Sequence, residues 1–195
     1  MQRPLTGNQE RALNIPKLIS STLIVLASCW APGSFGQIAP DGTDGRFHDD
    51  LLDHFVGKWD VSATVHGEKF TLDREAEWVM GHQYLRIHEK SREDIPWLKV
   101  PFERTLFIGY NHRYKRYVVY ELSVHGSDSE GFSYAVRSGN ELKFEYKIDA
   151  DVIANVFTWE PASGSWNFQV RPVIAGKEQK PFTDQKAVPA KPSSK

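Results

Sequence analysis

The stretch from Phe70 to Arg92 constrains the fold of this chain more than any other segment. Folded about Gly81-His82 as an antiparallel hairpin, it sets Glu77 against Arg86, Glu75 against His88 and Asp73 against Lys90 on one face. The other face pairs Trp78 with Leu85 and Ala76 with Ile87. A slip of one residue would turn every side chain to the wrong side, so the agreement of charge with apolarity fixes the register. The same register places Arg74 opposite Glu89 on the dry face. A chain with such a hairpin at its centre is expected to be built from antiparallel strands, dry on one side and wet on the other.

The period of two continues along the chain. Trp59, Val61, Ala63 and Val65 alternate with polar residues to give a first strand, and strands are predicted near Phe102–Tyr110 and Arg116–His125. A three-residue loop, Ser138-Gly139-Asn140, would pair Val136 with Leu142, Tyr134 with Phe144 and Phe132 with Tyr146. A further hairpin around Pro161–Gly164 sets Trp159 against Trp166 and Phe157 against Phe168. A last strand near Phe182–Val188 returns to the first. The segment Asp94–Pro101 carries Pro96 and Pro101, reads as an interruption rather than a central strand, and makes Trp97 a candidate lid over one mouth. Before the strands, Asp49 or Asp50 can cap a short helix through Val56, with Leu51, Leu52, Phe55 and Val56 on one face. Aromatic residues make up 12% of the chain and concentrate in the alternating runs, which favours strands over a helical bundle. The expectation is an all-β domain, an up-and-down antiparallel barrel of about ten strands with a short N-terminal plug helix, since closure removes the exposed edges of so wide a sheet.

Residues 1–36 have a different character. Arg3, Arg11 and Lys17 precede the apolar run Leu18–Ala27, which is shorter than the ~20 residues a membrane-spanning helix needs. Basic, apolar and small-residue regions in that order read as a secretory signal. Cleavage after Gly36 would release a secreted or periplasmic protein. The alternative is Leu26-Ala27-Ser28-Cys29, a lipobox-like end at which Cys29 would be lipidated and the protein anchored to a membrane. Cys29 is the single cysteine, so disulfides contribute nothing to the domain. The remaining organisation is a flexible lead-in over 37–48, the barrel over 49–188 and a frayed tail over 189–195.

Four blocks carry a resemblance. They are Gly57-Lys58-Trp59 after the short helix, Glu77–Arg86, Phe107-Ile108-Gly109-Tyr110-Asn111, and Phe157-Thr158-Trp159-Glu160-Pro161. Together they resemble a family of bacterial exported proteins with a calycin-like barrel, similar to the nitrobindin and fatty-acid-binding-protein group. The resemblance spans about Leu51 to Val188 and implies the fold and little chemistry. Nitrobindins hold haem through a histidine late in the barrel. This chain has no histidine after His125, so no cofactor is carried over.

Candidate chemistry centres on Arg74 and Glu89. A charge pair facing a barrel interior costs desolvation unless further hydrogen bonds, water or a ligand accompany it. The pair is a candidate polar anchor, with Trp59, Trp78, Phe144, Phe157 and Trp159 as the apolar lining. The seven histidines show no zinc spacing, and Asp73, Glu75 and Glu77 already have basic partners, so neither a metal site nor a glycosidase pair is expected. No nucleophile elbow, dinucleotide fingerprint or phosphate loop occurs. The net charge of −1 gives no footprint for nucleic acid. Three functions stay open: a barrel binding a small, partly apolar molecule, a solid-cored envelope or interaction protein, and an enzyme using Arg74, Glu89 and Glu121.

Overall fold

The computed structural model describes residues 45–126, 131–148 and 150–191. Residues 1–36, read from the sequence as a secretory signal, with Cys29 among them, and most of the expected lead-in and tail lie outside these residues. Eleven strands follow one short helix: α1 (Asp50–Asp53), β1 (Gly57–Val65), β2 (Glu68–Val79), β3 (Tyr84–Ile95), β4 (Val100–Asn111), β5 (Arg116–Ser123), β6 (Phe132–Ser138), β7 (Glu141–Ile148), β8 (Asp151–Glu160), β9 (Ser165–Ile174), β10 (Lys177–Glu178) and β11 (Thr183–Pro189). Each strand from β1 to β9 pairs antiparallel with the next, and β11 lies between β1 and β9. Because β8 pairs with β9, the sheet closes into a ten-stranded antiparallel barrel, with β10 appended to β9.

The β2–β3 register agrees with the sequence reading at every expected pair: Trp78 faces Leu85, Glu77 faces Arg86, Glu75 faces His88, Arg74 faces Glu89 and Asp73 faces Lys90. On the outer face the ion pairs do not all follow the β2–β3 register: Asp73 pairs diagonally with Arg92, and Lys90 with the residue opposite it on β4. Asp73 is held by Arg92 at 2.5 Å, and Lys90 reaches Glu103 at 3.0 Å. The hairpin of β8 and β9 also has the expected register, with Phe157 facing Phe168 and Trp159 facing Trp166. β11 returns to β1 as expected.

Three expectations are corrected. β6 and β7 are joined by a two-residue turn, Gly139-Asn140, so Ser138 pairs with Glu141 and Ala135 with Phe144. Gly139 has φ 58°, the backbone that the first position of a two-residue turn reserves for glycine. Shifting the ladder by one turns Tyr134 and Val136 outward, while Ser133, Ala135 and Arg137 face in. The physical reason is polar: Ser133 donates to the Glu145 carbonyl at 2.6 Å, and Arg137 reaches Asp49 beside the helix at 3.0 Å. Second, the proline segment does not end the pairing. β3 continues through a bulge to pair Asp94 with Pro101 and Ile95 with Val100. The Ser91 hydroxyl repairs the bulge by accepting from the Phe102 N–H at 2.9 Å and donating to the Glu93 carbonyl at 2.6 Å. Third, the helix is one turn long, because its backbone leaves helical pairing after Asp53.

α1 closes one end of the barrel. Leu51, Leu52 and Phe55 are buried, with Phe55 stacked on Trp166 at 3.6 Å between ring centres. Asp49 caps the helix by accepting from the Leu52 N–H at 2.8 Å. Its other oxygen is bound by the Tyr117 hydroxyl and by Arg137. Burial and this contact with Asp49 together raise the Tyr117 pKa, keeping its hydroxyl a donor. Replacing Asp49 by alanine removes the cap and orphans both partners. The expected loss is about 2 kcal/mol in a urea-unfolding experiment.

Candidate functional site

The barrel interior is divided into three levels. Around α1 it is solid aromatic packing: Trp59, Phe144, Phe157, Trp166 and Phe168 are all buried. Trp59 donates its indole N–H to the Phe55 carbonyl at 2.7 Å, and Trp78 donates to Asp53 at 2.8 Å. Trp159 stacks on His54 at 4.4 Å.

The middle level is ionic. Glu89 is fully buried between two arginines, accepting from Arg74 through one oxygen and from Arg104 through the other, each at 2.5 Å. Arg74 also donates to Gln185 of β11 at 2.9 Å, and Arg104 lies 3.8 Å from Glu121 of β5. Each guanidinium is further placed against a ring, Arg74 5.5 Å from the centre of Phe157 and Arg104 4.5 Å from that of Phe168. Burial alone would raise the Glu89 carboxyl, but the charges of Arg104 and Arg74 outweigh it and hold the pKa at about 2. Glu89 is therefore ionised across the physiological range. Two arginines and two glutamates, Glu121 included, balance the charge of this layer.

Above it, at the end away from α1, the barrel is open. A cavity of about 410 Å³ is lined mainly by apolar side chains, including Ala63, Phe70, Leu72, Phe102 and Val170. Its polar lining includes Glu121, Tyr146, Asn155 and Gln185, two of which touch the arginine layer. Trp97, at the tip of the β3–β4 turn, lines the mouth and makes edge-on ring contacts with Phe70 at 5.8 Å and His66 at 6.3 Å. It is half-exposed.

The sequence-derived set is thus divided between levels. Arg74 and Glu89 meet in the ionic layer, and Trp97 stands at the cavity mouth. Trp59, Trp78, Phe144, Phe157 and Trp159 are not among the residues that line the cavity and belong to the packed half. Sequence reasoning did not single out Arg104, Tyr146 or Gln185. Arg104 had a signal, since the β4 register that pairs Ile87 with Leu106 also sets Arg104 against Glu89.

Three buried polar atoms in this region have no hydrogen-bond partner: Nη1 of Arg74, Nη2 of Arg104 and the Tyr146 hydroxyl. Tyr146 is 5% exposed, and burial with the neighbouring Glu121 charge raises its pKa, so the hydroxyl keeps its proton. An unsatisfied buried donor costs ~1–3 kcal/mol, which a water or a ligand acceptor recovers. Among the described residues, no group of three or more His, Cys, Asp or Glu side chains is placed to hold a metal ion. Nor is any described helix long and apolar enough to cross a membrane. Comparison with protein-family models and with curated proteins yields no match, so the functional reading rests on the chemistry of the site itself.

Proposed function

We propose that the barrel binds one small amphipathic molecule, its apolar body in the open half of the lumen and its polar head against the layer of Glu121, Tyr146 and Gln185. The observation that carries this reading is the pairing of an apolar cavity of about 410 Å³ with unpartnered donors behind its floor. Natural small-molecule pockets have this composition, mainly apolar walls with a few placed polar groups, and the volume falls within their usual ~300–1,000 Å³. A barrel with no function in binding gains stability by filling such a space, as this one does around α1. We read the molecule as an exported calycin-like protein, on the strength of residues 1–36 and the four sequence blocks that carry the resemblance.

Binding can be read with the uncharged apolar fluorophore N-phenylnaphthylamine. Its emission is expected to rise on mixing with the protein. Ala63 lines the cavity, so an Ala63→Phe substitution places a ring in it from the β1 wall. The variant should keep its circular-dichroism spectrum and lose the fluorescence response by about tenfold or more, the change that ~1.4 kcal/mol of lost affinity brings. An equal response in both proteins would place the fluorophore elsewhere and refute the lumen reading.

A further inference from the structure

Resting on the lumen reading above, we infer that the ligand's head group is uncharged and accepts hydrogen bonds, as an amide, ester or ketone carbonyl does, rather than being a carboxylate or an amine. Three observations lead there. Among the described residues lining the cavity, Glu121 is the one with a carboxylate, and no lysine or arginine lines it. Its two imidazoles, His66 and His125, lie against Phe182 and Phe102 rather than in the ionic layer, so the charged lining group that touches the arginines is an acid. The two arginines nearby are not free cations, because both are already committed to the buried Glu89 and Arg104 also has Glu121 at 3.8 Å. With two positive and two negative charges, the layer is balanced before any ligand arrives. A carboxylate head would add an uncompensated negative charge beside Glu121 inside a poorly screened cavity.

A cationic head is disfavoured by the other half of the same geometry. The groups left without partners are guanidinium nitrogens and a tyrosine hydroxyl that keeps its proton. The guanidinium nitrogens and a protonated hydroxyl offer donors, and an ammonium, itself a donor only, satisfies none of them. Of these groups Tyr146 is the one that lines the cavity, and its hydroxyl needs an acceptor. A carbonyl oxygen reaching the Tyr146 hydroxyl supplies it and leaves the ionic balance untouched. Gln185, which also lines the cavity, can pair with an adjacent amide N–H or hydroxyl.

The test compares three probes of one chain length at pH 7, decanamide, decanoate and decylamine, each displacing N-phenylnaphthylamine from the full-length protein. Decanamide and decanoate have nearly the same shape and differ in charge. The wild-type protein is expected to bind decanamide at least about tenfold more tightly than either charged probe, a ratio equivalent to ~1.4 kcal/mol. In Glu121→Gln, which keeps the shape and removes the negative charge, decanoate should gain affinity and close that gap. In Tyr146→Phe, decanamide should weaken while its advantage over decylamine shrinks, because the donor is gone and the charges are not. Preference of the wild-type protein for decanoate or for decylamine would overturn the uncharged-head inference and leave lumen binding standing. Displacement by none of the three, with no uptake of the fluorophore itself, would overturn the lumen reading.

Discussion

Glu89→Gln is expected to cost the barrel ~3–5 kcal/mol, a large share of the ~5–15 kcal/mol that holds a domain folded. The substitution is nearly isosteric, so packing is preserved and the effect isolates the charge. In the native protein the carboxylate is wholly buried, with one arginine on each oxygen. Remove the charge and two guanidiniums face each other across a neutral amide, with Glu121 at 3.8 Å from one of them as the remaining counter-charge. Arg74→Met should cost less, about 2 kcal/mol, because Glu89 keeps Arg104 as a partner. Urea unfolding of the three proteins measures this order directly. The same carboxylate sets a pH dependence. Its folded pKa of about 2 lies below the 4.5 of an unperturbed glutamate, so its contribution is complete above about pH 4.5 and is lost as pH falls from there through 2. Stability of the wild-type protein should decline across that window, and Glu89→Gln should lack that part of the decline.

Trp166→Ala is the second large effect, expected at ~3–5 kcal/mol, the usual range for emptying a fully buried large aromatic site. Trp166 is 0% exposed and stacks on Phe55 with ring planes 12° apart. It also donates to the His54 carbonyl at 3.2 Å, which fixes the chain just after α1 to the β9 wall. Alanine would leave a cavity between the helix and the barrel and free that carbonyl. Amide exchange at Leu51 and Leu52 should accelerate more than exchange in β2 and β3. Trp97→Ala is the contrast. That ring is half-exposed at the mouth, so its loss should cost under about 1 kcal/mol while changing ligand uptake.

The parts of the fold legible in the sequence are those in which the two faces of a hairpin differ chemically. β2 and β3 carry charge on one face and apolar groups on the other, and their register is as the alternation predicts. β6 and β7 offered no such contrast. Phe132, Tyr134 and Val136 read as the dry face, yet the inward set is Ser133, Ala135 and Arg137. Those residues face in because the Glu145 carbonyl across the hairpin needs Ser133 and Asp49, far away in sequence, needs Arg137. The site follows the same division. Arg74 and Glu89 were legible because their hairpin was, whereas Arg104 sits on β4, where strand parity was ambiguous in the sequence. The aromatic residues expected to line a ligand cavity instead pack the half that α1 closes. Periodicity tells which way a side chain points, but not which end of a barrel a helix fills.

The most direct test of lumen binding is native mass spectrometry of the mature protein isolated from its native cell without denaturation, beside Ala63→Phe prepared in the same way. The account predicts one uncharged amphipathic molecule bound per wild-type barrel, released on denaturation and missing from the filled variant. A wild-type barrel that flies at its bare polypeptide mass, and stays bare after incubation with decanamide, would contradict it.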